Sequence, residues 1–109
     1  MSERIIPYII KDIIWCIDKI TSYTNGIDFE TFNNDPKTYD AVLRNIEVIG
    51  EAVNRLPDFF LLQHTDIPWN LMISTRNRLI HGYDSIDTKI VWNIVNNDLA
   101  PLKTAWRIY

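Results

Sequence analysis

Isoleucines recur at helical spacing through the first quarter of the chain. Ile5, Ile9, Ile13, Cys16, Ile20 and Tyr23 follow one another at intervals of three and four residues, which puts them on one face of a helix. Ile6, Ile10, Ile14 and Ile17 widen that face. A stripe this wide implies burial on two sides, as when a bundle helix also meets a second subunit. Asn25-Gly26 supplies the stop signal. Nowhere does the chain alternate apolar and polar residues with period two for long enough to demand a sheet.

The same periodicity returns along the chain. Residues 27–36 read as a connector with one short helical turn around Phe29–Phe32. From Lys37 a second stripe runs through Val42, Ile46, Ile49, Val53 and Leu56, and Pro57 is expected to end it. On the opposite side Glu47, Glu51 and Arg55 stand four apart, as on a solvated, salt-bridged face. Pro57 to Asp66 reads as a short helix and a loop. Pro68 is placed to open another helix, because a first-turn proline forfeits no helical bond. Trp69, Met72, Ile73, Leu79 and Ile80 give that helix its apolar positions, and Gly82 is expected to close it with a left-handed cap. Asp87 can cap a last helix carrying Ile90, Ile94, Leu99, Leu102 and Trp106. Pro101 should kink that helix or divide it in two. The expected fold is all-α, an antiparallel bundle of four to five helices.

With 109 residues the chain suits one modest core, and residues 1–109 are expected to form a single helical domain. No internal repeat, low-complexity run or linker interrupts them. Four Trp and five Tyr are more than such an interior needs, so part of this aromatic area is expected on a partner surface. The net charge of −3 argues against a broad basic groove following a nucleic-acid backbone. It leaves room for a small cationic site. Cys16 is the one cysteine. It sits in the apolar pattern as a buried thiol, and a chain with a single cysteine fits a reducing cytoplasm. Lys11 and Asp12 interrupt the first apolar run and no small-residue cleavage site follows, so the N-terminus does not read as a signal peptide. No segment is long and uncharged enough to span a bilayer.

Chemistry is concentrated in RNRLIHGY, Arg76 to Tyr83. Arg76 is a permanent cation that can fork onto phosphate. His81 can give or take a proton near neutral pH. Tyr83 offers a phenol just past Gly82. In an arbitrary helical domain, an arginine and a histidine near a helix end are most often surface residues favoured by the helix dipole. Geometry adds a constraint. Arg76 and His81 are five apart, so on one straight helix their Cα–Cβ vectors diverge by about 140°. Either the long arginine curls around the helix, or two copies of the helix face each other and complete one another's site. His64 lies in a loop-like stretch, matches no second catalytic residue in the sequence pattern, and is not read as a site residue. No His, Cys or carboxylate pair has metal-ligand spacing. With three glycines there is no phosphate-binding Gly-rich loop. Nothing places Ser74 or Ser85 on a nucleophile elbow.

Taken with its surroundings, the motif resembles the HepT-like group of HEPN domain proteins. IPW (Ile67–Trp69) precedes it and IVWNIVNNDLAPLK (Ile90–Lys103) follows. RNIEVIGEAVNRLP (Arg44–Pro57) and KDIIWCIDKITSYTNG (Lys11–Gly26) are similar to the same group, so the resemblance covers nearly the whole chain. HEPN proteins carry an arginine, often followed by a polar residue, then a short spacer and a histidine; Asn77 fills the polar place. The HepT branch adds a tyrosine two residues past the histidine, and Tyr83 stands there.

The resemblance implies an all-helical homodimer whose two motifs line a cleft at the interface. It implies metal-independent RNA cleavage by the toxin of a toxin–antitoxin pair. It also implies a minimal nucleotidyltransferase antitoxin that neutralises the toxin by transferring AMP to the motif tyrosine. By position, Arg76 and His81 would be catalytic, Asn77 supporting, and Tyr83 the AMPylation site, with no metal or cofactor. The chemistry is self-consistent. RNA carries its own nucleophile, the ribose 2′-hydroxyl, so an enzyme need only move protons and stabilise charge on phosphate. His81 could serve as base or acid, and a cyclic phosphate product is expected. Arg76 and Arg78, doubled across a dimer and joined by Arg44, would give a local cationic strip. The competing expectation is a non-catalytic helical adaptor that binds a nucleotidyltransferase and is modified by it. Such an adaptor would have no chemical need for the Arg76, Asn77, His81 set.

Overall fold

The isoleucine stripe folds into α1, Ile6–Thr24. Pro7 lies in its first turn, where a missing N–H costs no intrahelical bond. A computed structural model describes residues 5–65, 69, 70, 73 and 87–105. Ile6, Ile9, Ile10, Ile13, Cys16, Ile17 and Ile20 are buried. At about 100° per residue they lie within about 60° of Ile13 on either side. Ile5 and Tyr23, the outermost members of the expected stripe, fall about 80° from Ile13 and are exposed. The width of the buried face is therefore met by packing within one chain. It no longer serves as an argument for a second subunit.

α1 ends where expected. Asn25 is its C-cap, and Gly26 follows with φ +75°. A Cβ there would meet no atom within 4 Å, so the requirement for glycine is conformational and not spatial. Two short helices and a long one follow, and aspartates define two of their starts. Asp28 caps α2, Phe29–Asn33, by accepting from the Thr31 N–H at 2.8 Å. Asp35 caps α3, Pro36–Asn54, accepting from the Thr38 N–H at 3.2 Å and its hydroxyl at 2.7 Å. These hydrogen bonds hold both carboxyls below the usual aspartate range. α3 thus begins at Pro36, one residue before the expected Lys37.

α3 also ends earlier than expected, at Asn54 and not against Pro57. Arg55 and Leu56 donate back to the carbonyls of Ala52 and Val53, both at 3.0 Å, and so tighten the last turn. Pro57 restricts the residue before it and serves as the N-cap of α4, Asp58–Gln63. Leu56 is buried all the same, beyond the helix, beside Val42, Ile46, Ile49 and Val53. On the outer side of α3 an ion pair joins Arg44 and Glu47 at 3.5 Å. Asn45 is a polar side chain taken into the core, at 7% exposure; its amide donates to the Ala41 carbonyl at 2.8 Å.

The chain closes with α5, Thr88–Asn93, a π-helical turn, Ile94–Asp98, and α6, Leu99–Ala105. Val91, Ile94, Leu99 and Leu102 are buried. Within the turn the Leu99 N–H bonds the Ile94 carbonyl, five residues back. Pro101 was expected to kink or divide this helix. The structure has a π turn just upstream of the proline, and α-helix resumes at Leu99 and runs on through Pro101.

α1 packs chiefly on α3, and α6 lies against α1 with Lys103 paired to Asp18. Phe32 of α2 joins the rest. Its ring centroid lies 5.6 Å from Tyr39 of α3 and 5.0 Å from Trp92 of α5. The fold is an all-α, HEPN-like bundle, and no helix is long and apolar enough to cross a membrane among the described residues.

Candidate active site

Arg76, Asn77, His81 and Tyr83 lie outside the described residues, as do Arg78, Gly82 and Trp106. The structure shows what holds the chain on either side of them. Upstream, Trp69 is buried, and its indole N–H donates to the His64 carbonyl at 3.0 Å. Trp69, Asn70 and Ile73 are helical, and Ile73 packs against the core. The His64 ring lies 4.7 Å from that of Phe60, so this histidine is a packing element at the end of α4. Downstream, the Asp87 carboxylate accepts from the Lys89 N–H at 2.9 Å and starts α5. Tyr39 hydrogen-bonds Thr88, while burial pushes its phenol upward. The motif segment is thus bracketed by two anchors, one in the core through Trp69 and Ile73, the other on α3 through Tyr39.

The remaining candidates separate clearly. Cys16 is buried, and desolvation raises its thiol above the ordinary value, which disfavours the reactive thiolate. Arg44, a possible contributor to a cationic strip, is largely exposed but already faces Glu47. Among the described residues no group of three or more His, Cys, Asp or Glu could hold a metal ion. The structure adds one residue that motif reading passed over. Asp98 sits on the π turn, and desolvation raises its carboxyl above the usual range. Its signal in the sequence is the run NNDLAP, where a polar triplet precedes a proline inside an apolar helical pattern.

Comparison with known proteins agrees with this fold. The HepT-like family, described as Ribonuclease HepT-like, matches residues 13–107. "Probable ribonuclease HepT" of Thermococcus cleftensis is 40% identical over 94 residues, covering 86% of this chain and 86% of that one. "Putative RNase MJ0127" of Methanocaldococcus jannaschii is 39% identical over 97 residues, 89% of this chain and 80% of the other. No solved structure matches. The chain belongs to the Ribonuclease HepT-like family, and with it to the ribonucleases.

Proposed function

We propose that this chain, as a single domain over residues 1–109, is the toxin of a toxin–antitoxin pair: a metal-independent RNA endonuclease acting as a cytoplasmic homodimer. The observation that carries this reading is the family match over residues 13–107, within which the whole Arg76, Asn77, His81, Tyr83 set falls. On one straight helix the Arg76 and His81 vectors would diverge by about 140°, which favours a site completed by two chains.

In this reading the ribose 2′-hydroxyl of the substrate attacks the adjacent phosphorus. A His81 imidazole takes the hydroxyl proton, or gives one to the departing 5′ oxygen. Arg76 holds the phosphate as its charge builds. Asn77 orients the histidine or the substrate. The products are a cyclic phosphate and a 5′-hydroxyl end. Control is by a minimal nucleotidyltransferase antitoxin. It directs the Tyr83 phenol onto the α-phosphorus of ATP; pyrophosphate leaves and the phenolic proton passes to solvent. AMP on Tyr83 places a bulky anion inside the motif, where it competes with RNA phosphate for Arg76.

The test is RNA cleavage by purified protein with chelator present. Wild-type protein should cut, His81→Ala should not, and Arg76→Lys should recover little, because a lysine lacks the guanidinium fork. Sedimentation should give twice the chain mass. Tyr83→Phe should fold, should take up no AMP from the partner and ATP, and should resist neutralisation. Cleavage unchanged in His81→Ala would remove His81 from the chemistry, and no cleavage by wild-type protein that still accepts AMP would leave the adaptor reading in its place.

A further inference from the structure

The solvent face of α1 carries an arrangement that neither the core nor the motif uses. Tyr8 is 71% exposed and Trp15 66% exposed. At helical spacing both lie roughly opposite Ile13, the centre of the buried face. They stand seven residues apart, about 10 Å along the axis. Lysines accompany them. The Lys19 ammonium lies 4.7 Å from the Trp15 ring centroid. Lys11 sits beside Tyr8 and enters no ion pair among the described residues. Of the nearby carboxylates, Asp18 is paired with Lys103, leaving Asp12 at the rim. Next to Tyr8 a surface groove of about 470 Å³ is lined by Pro7, Tyr8, Ile10, Lys11 and Ile14. It offers an apolar floor and a cationic edge.

We infer that this face is a stacking platform for single-stranded RNA, an extended substrate-binding surface of the ribonuclease. The inference rests on the ribonuclease reading. Flat aromatic rings open to solvent take nucleobases on their faces, and lysines beside them take the phosphates. The charge pattern favours RNA over a second copy of the chain. In a chain of net charge −3 this strip has two lysines and one carboxylate, Asp12, that enters no ion pair among the described residues. A two-fold interface built on one such patch tends to bring like charges together. Tyr8, with the groove beside it, and Trp15 each take a different base.

The test is binding of a fluorescent, 2′-O-methylated single-stranded oligonucleotide of ~12 nucleotides, within the site sizes such platforms cover. Methylation blocks the nucleophile, so binding is read without cleavage. Tyr8→Ala and Trp15→Ala should each weaken binding by at least about five-fold, and Trp15→Phe should keep most of it. Lys11→Gln should lower the slope of log affinity against log salt by about 0.7. In cleavage of unmodified RNA, KM should rise with kcat kept. If the wild type cleaves RNA while both alanine variants bind and cleave like it, the platform is wrong and the ribonuclease reading stands. If the wild type neither binds nor cleaves RNA, both fall. A halved mass in sedimentation for Trp15→Ala would assign the face to contact between two copies and overturn the platform.

Discussion

α1 and the C-terminal helix are paired through Asp18 and Lys103, yet their backbones solve the same problem differently. α1 runs unbroken from Ile6 to Thr24, with its proline in the first turn. The C-terminal segment has its proline at position 101, inside the helical stretch, and inserts a π turn at Ile94–Asp98 before it. A proline at a helix start loses nothing, whereas one inside removes a donor and crowds the preceding turn. The regular helix forms the hydrophobic wall. The irregular one holds a half-buried carboxyl, Asp98, and follows directly on the motif segment.

This contrast can be broken at several points. Ile13 is fully buried at the centre of the α1 face. Ile13→Ala should cost about 2–5 kcal/mol, read as a fall in the urea midpoint at unchanged slope. A loss below about 1 kcal/mol would mean that α1 is not the wall of the core. Next in size is the end of α1. Gly26→Ala forces a β-carbon into a left-handed backbone at φ +75° and should cost about 1–2 kcal/mol, although the space around it is open. A similar loss for Gly26→Asn would be unexpected, because asparagine tolerates that conformation.

Two smaller effects sharpen the other side of the comparison. Pro101→Ala restores an N–H donor within α6. The π turn should then relax toward α geometry, with a stability change under about 1 kcal/mol in either direction, seen as loss of the Leu99 to Ile94 bond in amide exchange and NOE patterns. A π turn that persists unchanged would show that side-chain packing, not the proline, sets it. Last, the Asp98 carboxyl is raised above its unfolded value by burial. The folded state then binds the proton more tightly than the unfolded one, so this group lowers stability as pH rises from 3.8 through the folded value. Asp98→Asn should remove that slope and leave the protein slightly more stable near neutral pH, measured as Tm against pH. A lower Tm for the asparagine variant would give the ionised carboxylate a partner of its own.

Much of the framework was legible beforehand because its causes are local. Spacing of three and four located α1, α3 and the last helix. Asn25-Gly26 marked a C-terminus, and Asp87 a cap. The errors fell at boundaries. Ile5 and Tyr23 fit the stripe by count but sit at its edge by angle. Pro57 marks the start of α4, and two i→i−3 bonds close α3 before reaching it. Asn45 entered the core unannounced, since its bond to the Ala41 carbonyl satisfies the donor that would otherwise forbid burial. For the candidate site, the motif and its context nominate Arg76, Asn77, His81 and Tyr83, which lie outside the described residues. What the fold adds is the pair of anchors around them.

The sequence by itself determined the class of the fold, the end of α1 at Asn25-Gly26, the cap at Asp87 and the family, because propensity, capping and periodicity act over a few residues. Tertiary structure decided that Leu56 would be buried beyond the end of α3, that Asn45 would enter the core, and that Phe32 would pack between Tyr39 and Trp92. Those outcomes depend on what a neighbouring helix presents across the contact, and no local pattern encodes that.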